Sequence, residues 1–397
     1  MFLHAFYIFL SFSKGTKEMK KIVSILLVLI MIMGMLAGCG GNNDVKNDEV
    51  SAPVSEQVTL PASEEPEEPA GLVMFTDSVG REVEVPANVT CVSPTGALAQ
   101  MYLLAIAPDL LATVASEYTD NQTEYIPSYL TSLPVVGQFY GTADINFETI
   151  AAASPELVID VGDPKATIVE DMDEITTLTG LTSVHITATL ESTPEAFRQL
   201  GKLLGREEKG EELAQFCEKI LAQTADIMEQ VGEDKVRALY CLGDAGQNVL
   251  AQTSFHSEVL DYVMDNLAVV DNIASKGTGN ETDLEQITVW NPDFIIFGNK
   301  SIYATVAENS AWAGVTAIQN GNYIETPYGP YDWIGTPPSI NRYLSMIWLT
   351  KVLYPEYADF DMYEEIKEYY ELFYGYDLSV EQYDILTANA FLKVAEN

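Results

Sequence analysis

Positive charge is what this chain has least of. Twenty Lys and Arg stand against 59 Asp and Glu, a formal net charge of −39. The first 38 residues hold four lysines and one glutamate, a net +3, which leaves −42 for the rest. Nucleic acid is thereby excluded as a main partner, because phosphate binding needs clustered Lys and Arg. Anionic membrane surfaces would repel the body as well. Most of this acidity serves solubility, and it makes any Arg or Lys beside a cleft informative. Histidine is scarce too, with three in all, so a zinc or manganese site built from His clusters is not expected. The four cysteines show no Cys-x-x-Cys spacing. Cys91, Cys217 and Cys241 sit in apolar or helical runs and are expected as small buried hydrophobes. No Gly-x-Ser-x-Gly elbow, phosphate loop or paired acid constellation is present, so the chain reads as a non-enzyme without a cofactor of its own.

What is present begins with an address. Met19-Lys-Lys precedes an apolar run from Ile22 that ends in Leu36-Ala-Gly-Cys39, and residues 1–18 lie ahead of this better start. A basic region, an apolar region and small residues make a secretory signal over residues 1–38. The Leu-Ala-Gly-Cys ending resembles a bacterial lipobox, which implies cleavage before Cys39, its lipidation and attachment to the extracytoplasmic face of the cell membrane. Residues 39–71 are rich in Asn, Asp, Glu, Ser and Pro without periodicity, including Glu64-Glu-Pro-Glu-Glu-Pro. Such a segment is a solvated tether rather than a fold.

One unit occurs twice. Ile145-Asn-Phe-Glu148-Thr-Ile, then Pro155-Glu-Leu-Val-Ile159, is matched by Asp283-Leu-Glu285-Gln-Ile, then Pro292-Asp-Phe-Ile-Ile296, 137 residues later. Asn146 and Asp283 are good N-caps. Each glutamate falls in a first turn, where the helix dipole favours an acid. Proline then ends the helix, and an apolar run continues as a buried parallel strand. The separation is too great for a solenoid period and suggests two similar lobes.

Taken in order, Val73 to Pro86 reads as a hairpin around Gly80-Arg81. Thr90–Val92 and Leu111–Ala115 read as strands, with a helix over 97–106 between them. A helix around 167–179 and a strand at Val184–Ile186 close the first lobe. This alternation predicts a mostly parallel α/β sheet covered on both faces. Residues 72–192 form the N-terminal lobe, and 193–234 a helical connection that starts at Thr193-Pro194. Apolar residues from Leu213 to Met228 recur with the spacing of one buried face. That run, from about Glu207 to Val231, spans roughly 35–40 Å and can serve as a stiff spine. Residues 235–356 form the C-terminal lobe, and 357–397 an acidic helical tail whose tyrosines pack onto the body.

The chain resembles the substrate-binding lipoproteins of ABC transporters for iron-siderophore, haem and cobalamin. The likeness covers about residues 73–356. It rests on the lipobox, Asp77-Ser-Val-Gly-Arg-Glu-Val-Glu-Val-Pro86, both Glu-x-Ile…Pro units, the mid-chain helix and Pro337-Pro-Ser-Ile-Asn-Arg342…Leu-Tyr-Pro355-Glu. It implies two Rossmann-like lobes joined by a rigid helix, with an iron or cobalt complex held between them by a monomer that serves an ABC permease. By motif position it implies permease docking at Glu148 and Glu285. Many relatives carry an acid where this chain has Gln100.

Open parallel sheets place ligands at the C-terminal ends of their strands. Expected cleft loops are therefore Ser93–Gly96, Glu117–Tyr118, Gln138–Tyr140 and Asp160–Asp163 in the first lobe. In the second they are Gly243–Gln247, Ser254–His256, Asn299–Lys300 and Tyr328–Trp333. The candidate ligand contacts are Tyr118, Tyr140, His256, Tyr328, Tyr331 and Trp333, because aromatic walls suit flat ligands. Arg342 is a candidate partner for a carboxylate, propionate or oxyanion, with a place on the helix surface or an internal ion pair as its alternative roles. His185, inside an apolar strand, reads as structural. The competing function is binding of a bare oxyanion such as molybdate or tungstate, which needs a small polar site rather than a wide aromatic one.

Overall fold

The computed structural model describes residues 71–139 and 145–393. The leader, Cys39, the tether and Tyr140 lie outside the described residues. The chain starts with a hairpin of β1 (Leu72–Thr76) and β2 (Glu82–Pro86). Asp77 closes its turn, its Oδ1 accepting from Val79 N at 3.1 Å and Arg81 N at 2.9 Å. Gly80 takes the left-handed backbone, φ 81°, that the turn requires.

The first sheet has the order β3 (Val92–Pro94), β4 (Leu157–Gly162), β5 (Thr182–Thr187), all parallel. The strand expected at Leu111–Ala115 reduces to isolated bridges, Val92 with Leu111 and Val114 with Val135. The second sheet is built on β6 (Arg237–Leu242), with β7 (Asn248–Val249), β8 (Asp265–Asn266), β9 (Asn280–Glu281), β10 (Phe294–Phe297) and β11 (Tyr323–Glu325). Its order is β11-β10-β6-β7-β9, and β8 also pairs with β6. The β6, β8, β10 and β11 pairings are parallel, whereas β7 and β9 form an antiparallel edge.

Period-two alternation accounts for both sheets being covered twice. In β4, Leu157, Ile159 and Val161 face the central core, whereas Val158 packs with Ile168, Met172 and Ile175 of the helix Ile168–Thr179. In β10, Phe294 and Ile296 face the central core, and Ile295 and Phe297 join Ile287, Val306, Trp312 and Val315. The central core is continuous across both lobes.

The connection is two helices, Thr193–Leu204 and Glu207–Val231, turned at Gly205 (φ 62°). They pack closely through facing glycines: a Cβ on Gly210 would lie 2.6 Å from Phe197 O and 3.1 Å from Gly201 Cα. The helix Arg342–Leu353 is buried on all sides. In the tail, the helix Met362–Tyr374 places the Tyr369 and Tyr374 hydroxyls on Asn341 Oδ1, at 3.0 and 2.6 Å. Cys217 and Cys241 are buried as expected. Cys91 is half-buried, and burial, then the Glu156 charge, pushes its thiol up.

Candidate functional site

The two repeat units fold alike. Asn146 Oδ1 accepts from Thr149 N at 3.0 Å, starting the helix Phe147–Ala153, and Asp283 Oδ1 accepts from Gln286 N at 2.8 Å, starting Leu284–Trp290. Ile150 and Ile287 anchor the two helices, and Glu148 and Glu285 are exposed. Each helix leaves through a left-handed residue just before the proline, Ser154 (φ 51°) and Asn291 (φ 47°).

At the opposite end of the first unit's strand, β4, lies a cavity of about 540 Å³ lined by both lobes. Thr95, Gly96 and Asp160–Asp163 come from the ends of β3 and β4, and Gln138 from the next loop. The second lobe supplies Thr253–His256, Ile273–Ser275 and Pro337-Pro338. A polar relay runs beneath the first-lobe wall. Asp160 Oδ1 accepts from the Thr95 hydroxyl, and its Oδ2 meets His185 Nδ1 at 2.7 Å. His185 Nε2 lies 3.2 Å from Thr187 Oγ1. His185 is fully buried, in keeping with its reading as structural. Gly162 closes the wall. Its φ of 150° favours glycine, and a Cβ there would sit 2.6 Å from Leu98 Cδ2, the end of a flexible side chain that would have to shift.

Of the candidates, His256 lines this cavity. Its Nδ1 is 3.4 Å from Gly335 O, and burial holds the imidazole below its ordinary pKa. Tyr328 lines a separate cavity of about 240 Å³ with Asn121, Tyr125 and Asn299. Tyr118 is outside the lining of both and packs against the core. Burial pushes its phenol up to about 12, against the pull of Gln100.

Three expectations are corrected by burial. Trp333 is 0% exposed, meets Trp348 edge-on at 6.3 Å and donates its Nε1–H to Gly329 O at 3.4 Å. Tyr331 belongs to the same core. Gly and Pro in Tyr328–Trp333 do not keep the segment at the surface, because the tail helix packs over it and the Tyr370 hydroxyl bonds to Gly329 O. Arg342 is also 0% exposed. Its guanidinium pairs with Glu258, and donates to Ser339 O and Ala188 O at 3.1 and 3.0 Å. Glu258 Oε2 in turn accepts from Leu190 N at 3.1 Å. Arg342 therefore ties the second lobe to the segment leaving β5, which is its internal ion-pair role.

Sequence reasoning did not single out Ile273–Ser275, Lys165 or Pro337-Pro338 as lining. Only the paired prolines left a signal. Gly243–Gln247 and Asn299–Lys300 do not line the cleft cavity. Among the described residues no group of three or more His, Cys, Asp or Glu is placed to hold a metal ion, and no helix is long and apolar enough to cross a membrane.

Two lobes with parallel sheets, a helical connection and a cavity at the strand ends define a bilobal binding protein. A family model described as periplasmic binding protein matches residues 102–328, and the chain belongs to that family. An ABC transporter solute binding protein from Sulfurospirillum deleyianum is 25% identical, with a TM-score of 0.73 over 79% of this chain and 99% of that one. A periplasmic solute binding protein from Veillonella parvula is 21% identical, with a TM-score of 0.65 over 81% of this chain and 98% of that one. The molybdate periplasmic binding protein MolA of Haemophilus influenzae, bound to molybdate, is 16% identical, with a TM-score of 0.63 over 77% and 99%. No curated protein matches. The chain is thus a solute-binding protein of the ABC-importer class, whose members are extracytoplasmic and in general not enzymes.

Proposed function

We propose that the protein captures a compact metal-centred solute in the cleft and delivers it to an ABC permease from a lipid anchor at Cys39. The carrying observation is the cavity of about 540 Å³ lined by the C-terminal ends of β3 and β4 in the first lobe and by the loops Thr253–His256, Ile273–Ser275 and Pro337-Pro338 of the second. Its size falls within the ordinary range for small-molecule sites, roughly 300–1,000 Å³. Phe255 and His256 are the aromatic side chains of its lining. A wall with so few aromatic faces favours an oxygen-ligated iron complex over haem or cobalamin, whose flat macrocycles gain most from stacking. A bare oxyanion is the second reading, favoured by the molybdate bound to the Haemophilus influenzae protein of the same fold. Glu148 and Glu285 are proposed to dock on basic permease residues.

The test is thermal unfolding of the purified full-length chain with ferric siderophores, ferric citrate, haem, cyanocobalamin, molybdate and tungstate. A ligand that prefers the folded state raises the midpoint. Ser275 is exposed and lines the cavity, so Ser275→Trp should fill the cleft and abolish the ligand-induced rise without lowering the unliganded midpoint. An undiminished rise in that variant removes the cleft as the binding site.

A further inference from the structure

We infer that residues 379–389 form a strap across the lobe boundary, which must release the first lobe before the ends of β10 and β11 beneath it can admit a solute. Such a strap goes beyond the capture reading, and testing it requires no knowledge of what the cleft holds.

The strap hangs between two anchors. Leu378 and Ala390 are both 0% exposed and belong to the central core. The helix Met362–Tyr374 that precedes it buries six residues, whereas the helix Val380–Leu386 within it buries none. Seven residues are too few for a helix to be stable in water by itself. A capping box between Ser379 and Gln382 starts this one, and contacts to both lobes hold it in place.

On the first lobe, Gln382 Nε2 donates to Glu124 Oε1 at 3.1 Å. On the second, Asn389 Nδ2 donates to Glu325 Oε2 at 2.8 Å. Asn389 O also accepts from Glu325 N at 2.9 Å, which covers the outer edge of β11. Both lobes and the strap meet at Gly329, where an added Cβ would lie 2.5 Å from Leu386 Cδ2 and 3.3 Å from Tyr125 Cε2.

Beneath the strap is the cavity of about 240 Å³. Gln382, Ile385, Leu386 and Asn389 line it from the strap, and Asn299 and Thr326 from just beyond β10 and β11. Open parallel sheets place ligands at such strand ends. Yet neither Asn299 nor Thr326 lines the larger cleft cavity. The strap thus closes a part of the boundary that the sheet topology makes available. A segment with few buried apolar contacts opens locally before the rest, so the strap moves and its anchors stay.

Gln382→Glu isolates the first-lobe contact. Glutamate keeps the capping box and suits the first turn of the helix, but it sets a like charge against Glu124. Access is read on the full-length chain carrying Thr326→Cys, by alkylation and peptide mass, which follow each thiol separately. Thr326 is 2% exposed, so a thiol there reacts when the strap lifts. The buried Cys217 and Cys241 report opening of the whole body. Gln382→Glu is expected to speed alkylation at position 326 about fivefold and to leave Cys217 and Cys241 unchanged. Adding Glu124→Gln restores a donor facing an acceptor, and with it the slow rate. Leu386→Ala, which loosens the contact at Gly329, should act in the same direction as Gln382→Glu. An unchanged rate at position 326 in Gln382→Glu overturns the strap. Equal acceleration at all three thiols also overturns it, because the body then opens as a whole.

Discussion

Asp332 shows how burial alone changes what a residue does. Its Oδ1 accepts from Ile334 N and Gly335 N at 2.9 and 3.1 Å, and its Oδ2 accepts from the Tyr240 hydroxyl at 3.0 Å. These bonds shape the turn that delivers Gly335 to His256 and Pro337-Pro338 to the cleft. Burial nevertheless pushes the carboxyl up to about 6, overcoming the hydrogen bonds that favour its charge. The folded pKa therefore lies above the unfolded value of about 3.9. Its stabilising contribution is complete below the unfolded value and is lost as pH rises through about 6. Relative to Asp332→Asn, the wild type should lose roughly 3 kcal/mol between pH 3.5 and 7. Parallel denaturant titrations measure this, and a constant difference across that range contradicts it.

The aromatic residues at 331 and 333 carry the same lesson. Aromatic, Gly and Pro residues clustered in sequence fit a binding loop and a buried turn equally well. What decides between them is the tail helix Met362–Tyr374, some thirty residues further on, which packs over the turn. Arg342 is similar. Its scarcity marked it as noteworthy, but its partners Glu258 and Ala188 come from other elements.

Among the elements, local signals were legible wherever backbone chemistry dominates. Asn146 and Asp283 cap as expected, and the long helix runs from Glu207 to Val231 as its apolar spacing indicates. The expected strand at Leu111–Ala115 did not form a ladder, although its apolar run is genuine. Val114 and Leu111 are buried, but each pairs through a single bridge, and burial alone does not make a strand. The helix pair of the connection offers a test at this scale. Gly210 faces backbone atoms of the neighbouring helix, which cannot rotate away as a side chain can. Gly210→Ala gains about 1 kcal/mol in helix propensity, yet overpacking costs about 1–3 kcal/mol. The expected outcome is a lower denaturant midpoint, and an unchanged or raised midpoint would show that the helices separate at no cost.

For the whole molecule, both repeat units expose their glutamates at the N-terminal ends of their strands, and the C-terminal end of β4 reaches the cavity. In the first unit β4 runs from the helix that carries Glu148 toward the cavity, so the proposed docking residue and the cleft lie at opposite ends of that unit. Glu148→Ala combined with Glu285→Ala should lower uptake at limiting ligand and leave the affinity of the isolated protein unchanged. Docking contacts of the proposed kind would be electrostatic and act mainly on encounter and register. Transport assays beside calorimetry check this, and normal uptake by the double variant would remove the docking role.

Composition and the spacing of the repeat carried the two-lobed α/β plan and the exposed glutamates, because each depends on residues near one another in sequence. The burial of Trp333 and Arg342 was decided by tertiary structure. A strand-end loop can be located from its own sequence. Whether its side chains meet a ligand depends on segments such as Ile273–Ser275 and Pro337-Pro338, brought to the same cavity from far along the chain.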